Sequence, residues 1–249
     1  MISLKPLLKK GKAIFLAYDQ GMEHGPIDFN DKNVDPLYII EIAKKGKFNG
    51  IVFQKGLAEK YQKELRASKI PLILKLNGKT SLVKGDPLSA QICTVSEAIK
   101  LGAKAVGFTI YIGSIHEEEM IEEFSKIVKD AHSKNIPVIL WVYPRGKSVK
   151  GKKPSELMAY ATRIGLELDA DIIKIHPEGN PKDLAWAIKS AGKAKVVAAG
   201  GSKTNEKELL QEIKNYMKAG FIGLAIGRNI WQSKNPLELT KKIKRIIWG

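Results

Sequence analysis

At 249 residues with 44% hydrophobic content and no apolar run near the roughly 18 residues of a membrane span, the chain is long enough for one large domain over 1–249, with no membrane partner expected. Cys93 is the single cysteine, which excludes an intrachain disulfide and a cysteine-based metal cluster, and with a start (Met1 to Pro6) unlike a signal peptide it points to a cytoplasmic protein. The 42 Lys and Arg against 26 Asp and Glu give a net charge of +16, yet the lysines are dispersed without interleaved aromatic residues, so no nucleic-acid partner is expected and a basic surface that attracts phosphorylated metabolites fits instead.

Short runs of Ile, Val and Leu alternate with longer amphipathic segments, the pattern of βαβ units and a parallel sheet. The first strand is expected over Ala13–Tyr18, and after a long loop a helix over Pro36–Lys45 starts on a proline. A strand over Gly50–Gln54 leads to a helix over Leu57–Ala67, and a strand over Pro71–Leu76 to a helix over Thr94–Leu101 whose Thr94 and Glu97 have capping-box spacing. The fourth strand is expected over Lys104–Ile110, and its helix, Ile115–Ser133, opens with Glu117, Glu118 and Glu119, which suit the positive end of the macrodipole. Strand five is Pro137–Val142 and its helix Pro154–Leu168; strand six follows Asp171 and is stopped by Pro177 and Gly179. Then come a helix over Pro181–Ser190, a strand over Ala194–Ala199, a helix over Asn205–Lys218, a strand over Phe221–Ile226 and a last helix over Pro236–Ile247. Eight strand–helix pairs in a chain near 250 residues predict an α/β TIM (β/α)8 barrel rather than an open doubly wound sheet.

A barrel of this kind carries its chemistry at the C-terminal ends of the strands. Asp171-Ile172-Ile173-Lys174-Ile175-His176 places Lys174 on one face with Ile172 and His176, where either burial favours the neutral amine and makes it a nucleophile or the side chain snorkels to a rim. Lys75, in Leu72-Ile73-Leu74-Lys75-Leu76, has the same character, and local sequence does not separate the two lysines. Trp141 and Tyr143 share a face of the neighbouring strand, either as an aromatic plug or with Tyr143 as general acid and base. Asp19 leaves the first strand, where it orients a substrate hydroxyl, steadies a developing iminium charge or instead caps a turn. Gly-rich turns at Ala199-Gly200-Gly201 and at Gly227-Arg228 follow strands seven and eight, where backbone amides and the Arg228 fork suit a phosphate. The four histidines show no metal-binding spacing, so no metal and no cofactor are expected.

Ala17-Tyr18-Asp19-Gln20-Gly21-Met22-Glu23-His24-Gly25-Pro26, Trp141-Val142-Tyr143-Pro144-Arg145-Gly146, Lys174-Ile175-His176, Ala199-Gly200-Gly201 and Gly227-Arg228 together make the chain resemble the archaeal-type class I fructose-1,6-bisphosphate aldolases of the DhnA/FbaB family. The resemblance implies that Lys174 is the Schiff-base lysine, that Tyr143 is the proton donor and acceptor, that Asp19 is a catalytic residue that binds substrate, and that Gln20, His24, Asp28, Trp141, Arg145, Ile175 and His176 bind substrate. It implies that Ala199, Gly200, Gly201, Gly227 and Arg228 hold a phosphate, that the substrate is a phosphorylated sugar, and that the chain forms a homo-oligomer, in some relatives built from rings. A sister branch making an amino-dideoxy-heptulosonate, and a phosphosugar-binding or isomerising barrel without imine chemistry, are the alternatives. Trp231 and Trp248 are candidates for an interface or for the core.

Overall fold

A computed structural model of the chain describes residues 2–249. Eight parallel strands close into a barrel: β1 (Ala13–Ala17), β2 (Gly50–Gln54), β3 (Leu72–Lys75), β4 (Ala103–Ile112), β5 (Val138–Pro144), β6 (Ile172–Ile175), β7 (Lys195–Ala199) and β8 (Gly223–Ile226). Each strand pairs with its neighbours in sequence, and β8 pairs back to β1 with Ile14 opposite Leu224. The strands are short and aliphatic because both of their faces are covered; all five residues of β1 and all four of β6 are buried.

Period two then sorts the side chains into two layers. Phe15, Val52, Ile73, Ile139, Ile172 and Val197 point inward and form the barrel filling, with Leu7 of the N-terminal segment packed into the same cluster. Leu16, Phe53, Leu74, Ile173 and Ile175 point outward and pack with residues such as Phe124, Leu184 and Ile243 from the surrounding helices. Burying each such side chain contributes about 1.5–3 kcal/mol relative to exposure, so the sequence is committed to this sidedness: a slip by one residue would turn Lys174 into the apolar outer layer.

The helices of six residues or more are α1 (Pro36–Lys45), α2 (Lys55–Lys60), α3 (Gln62–Ser68), α4 (Val95–Lys100), α5 (Glu117–Ser133), α6 (Pro154–Glu167), α7 (Pro181–Ser190), α8 (Glu206–Ala219) and α9 (Pro236–Trp248), and a single helical turn over Arg228–Trp231 follows β8. Pro36 occupies the first turn of α1, and the Thr94–Glu97 capping box opens α4 as its spacing indicated. The segment expected as one helix over 57–67 is two, because Tyr61 at φ −110 and ψ 24 leaves helical geometry. Strand β4 runs to Ile112 and β5 to Pro144, each two residues past expectation, which carries Tyr111 and Tyr143 up to the rim. The loop after β1 contains a turn of helix over Gly21–His24 and a 3-10 turn over Gly25–Asp28, and Asn77–Gly78 pairs with Ala90–Gln91 in a small antiparallel ribbon. Among the described residues no helix is long and apolar enough to cross a membrane. Trp231 is buried at 1% exposure with its indole N–H donating to Ala17 O at 3.1 Å, which makes it core.

Candidate active site

The C-terminal ends of the strands surround an open cavity with room for about 110 Å³ of water-sized centres. Lys174 of β6, Lys75 of β3 and Trp141 of β5 form its floor, and all three are buried. The two ammonium nitrogens lie 5.0 Å (Lys174) and 5.3 Å (Lys75) from the Trp141 ring centroid. The indole reaches this position because β4 has a glycine at 107: a Cβ there would stand 2.1 Å from Trp141 Cζ3. Asp19 at the end of β1 supplies the nearest carboxylate, 3.7 Å from Lys75 Nζ.

Burial and the neighbouring charge of Lys75 push the Lys174 amine down to about 8, while Asp19 works in the opposite direction. At pH 7 that leaves about a tenth of Lys174 neutral, about 230 times the share of an ordinary lysine near 10.4. Burial lowers Lys75 as well, against the pull of Asp19 and Glu23. Tyr143 is held well above the usual tyrosine range, first by burial and then by Asp19, so it rests as the neutral phenol. His176, whose ring lies 5.5 Å from that of Tyr143, is pushed down to about 4 by burial and by Lys174, and rests as neutral imidazole.

Two polar clusters line the rim. Arg145 donates to Glu23 Oε1 at 2.7 Å and stacks over the rings of Tyr111 and Tyr143 at 5.4 and 5.3 Å, and the Tyr111 hydroxyl donates to the same carboxylate oxygen at 3.3 Å. On the far side, Arg228 donates to Gly201 O at 3.2 Å and pairs with Asp28 at 3.7 Å, and Asp28 in turn meets His24 Nδ1 at 2.6 Å. Gly201 sits at φ +63, and a Cβ on Gly227 would press to 2.5 Å of Ala17 O, so both turns need glycine to bring backbone this close to the cavity. Asn229 ties the two turns together by donating to Gly200 O at 2.7 Å and Ser202 O at 2.9 Å.

Among the described residues, the buried side-chain polar atoms without a partner are Gln20 Nε2, Gln54 Oε1 and Trp141 Nε1, all on residues that line this cavity. Unpaired buried polar groups are rare and costly, and their concentration here marks a place built for a polar ligand. Among the described residues no three or more His, Cys, Asp and Glu side chains gather into a metal-binding group.

The model of the DeoC/LacD family of aldolases matches residues 13–233. The chain belongs to the DeoC/LacD aldolase family. Among curated members it is 46% identical over 249 residues to the class 1 fructose-bisphosphate aldolase of Thermoproteus tenax, covering 99% of this chain and 93% of that protein. It is 40% identical to the enzyme of the same name from Halobacterium salinarum, covering 98% and 93%. Among solved structures, an archaeal fructose-1,6-bisphosphate aldolase with its catalytic lysine covalently bound to the carbinolamine intermediate superposes with a TM-score of 0.93 at 45% identity, covering 99% of this chain and 98% of that one.

Within this aldolase fold, Lys174, Tyr143, Asp19, Gln20, His24, Trp141, Arg145, His176, Ala199, Gly200, Gly201, Gly227 and Arg228 all line the one cavity. Ile175 does not: it is 1% exposed and packs in the outer layer against the helices, because period two turns it away from the face of Lys174. Its side chain therefore faces away from the cavity. Asp28 stands behind the lining, where it holds His24 and Arg228. Sequence reading gave no role to Glu23, Gln54, Thr109 and Tyr111, which also line the cavity. Gln54 ends an apolar strand as Lys174 does, a signal that was available; Tyr111 lay beyond the expected end of its strand.

Proposed function

We propose that the chain, as one catalytic domain, is a class I, Schiff-base-forming fructose-1,6-bisphosphate aldolase. The observation that carries this reading is a buried amine, poised near 8, at the same end of the barrel as two glycine turns and an arginine. Neutral Lys174 adds to the C2 carbonyl to give a carbinolamine. Tyr143, resting as the phenol, gives its proton to the departing C2 hydroxyl, and water leaves as the iminium forms. In cleavage, the C3–C4 bonding pair moves into the iminium to give an enamine, and the C4 hydroxyl loses its proton as glyceraldehyde 3-phosphate departs. Phenolate Tyr143 is the acceptor within reach of that proton, directly or through water, and it returns a proton to C3 before hydrolysis frees dihydroxyacetone phosphate.

Asp19 opposes the positive charges of Lys75 and of the developing iminium. The phosphate of the dihydroxyacetone half is assigned to Gly200, Gly201, Gly227 and Arg228, because β7 adjoins the strand of Lys174 and β8 adjoins β7. The wider reading is a homo-oligomer, supported by the exposed aromatic residues Tyr160 and Trp186 on α6 and α7 and tested by light scattering in solution, in the cytoplasm, in keeping with a single cysteine that forms no disulfide. The decisive experiment is borohydride reduction in the presence of dihydroxyacetone phosphate followed by peptide mass spectrometry. Adduct on Lys174 is the expected result; adduct on Lys75, or none, refutes the assignment.

A further inference from the structure

Gln54 and Lys75 are left over from this mechanism, and both are built as if for a ligand. They stand opposite each other in the β2–β3 register at the ends of two apolar strands. The Gln54 Nε2 donates to Asn77 O at 3.2 Å, which fixes the carboxamide so that Oε1 is its free end, and that oxygen is buried without a partner. Lys75 is 7% exposed, and its ion-pair partner among the described residues, Asp19, lies at 3.7 Å, longer than a hydrogen bond. An ammonium carries three N–H donors, so the pair offers an unfilled acceptor and unfilled donors side by side, the complement of a hydroxyl group.

Topology says which hydroxyl. The barrel is closed, and β3 stands four strands from β7, and β2 four strands from β6, in either direction around it. A ketose joined through C2 to Lys174 with its C1 phosphate over β7 and β8 runs its C3–C6 portion across the mouth toward β3 and β2. Building on the aldolase reading, we propose that Gln54 and Lys75 are specificity residues that recognise the hydroxyl beside the aldehyde carbon of the acceptor, the C5 hydroxyl of the ketose. The chain is then selective for α-hydroxy aldehydes, since an acceptor lacking the hydroxyl leaves this buried acceptor and these donors unpaired.

The test compares kcat/KM for condensation of dihydroxyacetone phosphate with D-glyceraldehyde 3-phosphate and with its 2-deoxy counterpart, 3-oxopropyl phosphate, in wild type, Gln54→Leu and Lys75→Met. Wild type is expected to favour the hydroxylated acceptor by about 10- to 150-fold, the range for a hydrogen bond involving a charged group. Each variant should cut that ratio by about 10-fold or more. General damage, or a change in the Lys174 amine, scales both acceptors alike and leaves the ratio untouched. A ratio that is unchanged in both variants, or near one in wild type, overturns the proposal. Borohydride trapping with dihydroxyacetone phosphate alone separates the two failures: a trapped imine with unchanged selectivity sinks the pair, whereas no imine in wild type sinks the aldolase reading on which it rests.

Discussion

Gly107→Ala tests whether the indole between the two amines is held where the chemistry needs it. A Cβ at this position would stand 2.1 and 2.2 Å from Cζ3 and Cη2 of Trp141, whereas carbon atoms rest at about 3.5–4.0 Å, so the indole must move by roughly 1.4 Å or the strand must yield. Neither is free: Trp141 is 2% exposed, and β4 and β5 are paired from Val106 to Ile112. Overpacking of this size costs about 1–3 kcal/mol, which in a domain of this length lowers Tm by roughly 2–12 °C. Displacing the group that flanks Lys174 by an ångström should also slow imine formation by about 100-fold. Thermal unfolding followed by circular dichroism and single-turnover borohydride trapping read the two effects. Gly56→Ala is the control, because nothing lies within 4 Å of its Cβ and the position is helical. A Gly107→Ala protein that melts within a degree of wild type and traps imine within two-fold would refute the reasoning.

Other outcomes follow from the same geometry. Because the attacking amine must be neutral, trapping should rise with pH to a plateau with a midpoint near 8 rather than near 10.5; Lys75→Met, which removes a like charge, should move the midpoint up, and Asp19→Asn, which removes an opposite one, should move it down. A wild-type midpoint near that of free lysine would defeat this account. Tyr143→Phe should still form imine slowly but lose about 100- to 10,000-fold in cleavage rate, the usual worth of a general acid and base, and steady-state assay beside trapping checks the split. Arg228→Leu should raise KM for the bisphosphate by about 10- to 100-fold with little change in the rate of a saturated enzyme, consistent with a lost charge-assisted contact of about 1.5–3 kcal/mol; a fall in kcat alone would argue against a binding role. Incubation with a chelator should leave activity intact, because the iminium is the electron sink.

Much of the scaffold was legible because its causes are local. Alternating aliphatic runs and amphipathic segments indicate eight strand–helix units, and period two puts Lys174 and His176 on one face and Ile173 on the other, as found. The same rule turns the Ile175 side chain to the outer layer. The ends of β4 and β5 were misjudged because pairing with a neighbour, not propensity, keeps a strand going: Tyr111 stays in the sheet opposite Tyr143.

Sequence alone determined the barrel, the sidedness of each strand and the presence of two buried strand-end lysines, since those depend on the period and composition of short segments. It left Lys75 and Lys174 as equals. Only the closed barrel decided what surrounds each amine, by bringing Asp19 beside Lys75, Trp141 between the two, Arg145 to Glu23 across 122 positions, and the glycine turns to the side of Lys174. An amine's proton affinity is set by charges and burial gathered from distant parts of the chain, and that sum exists only once the barrel closes.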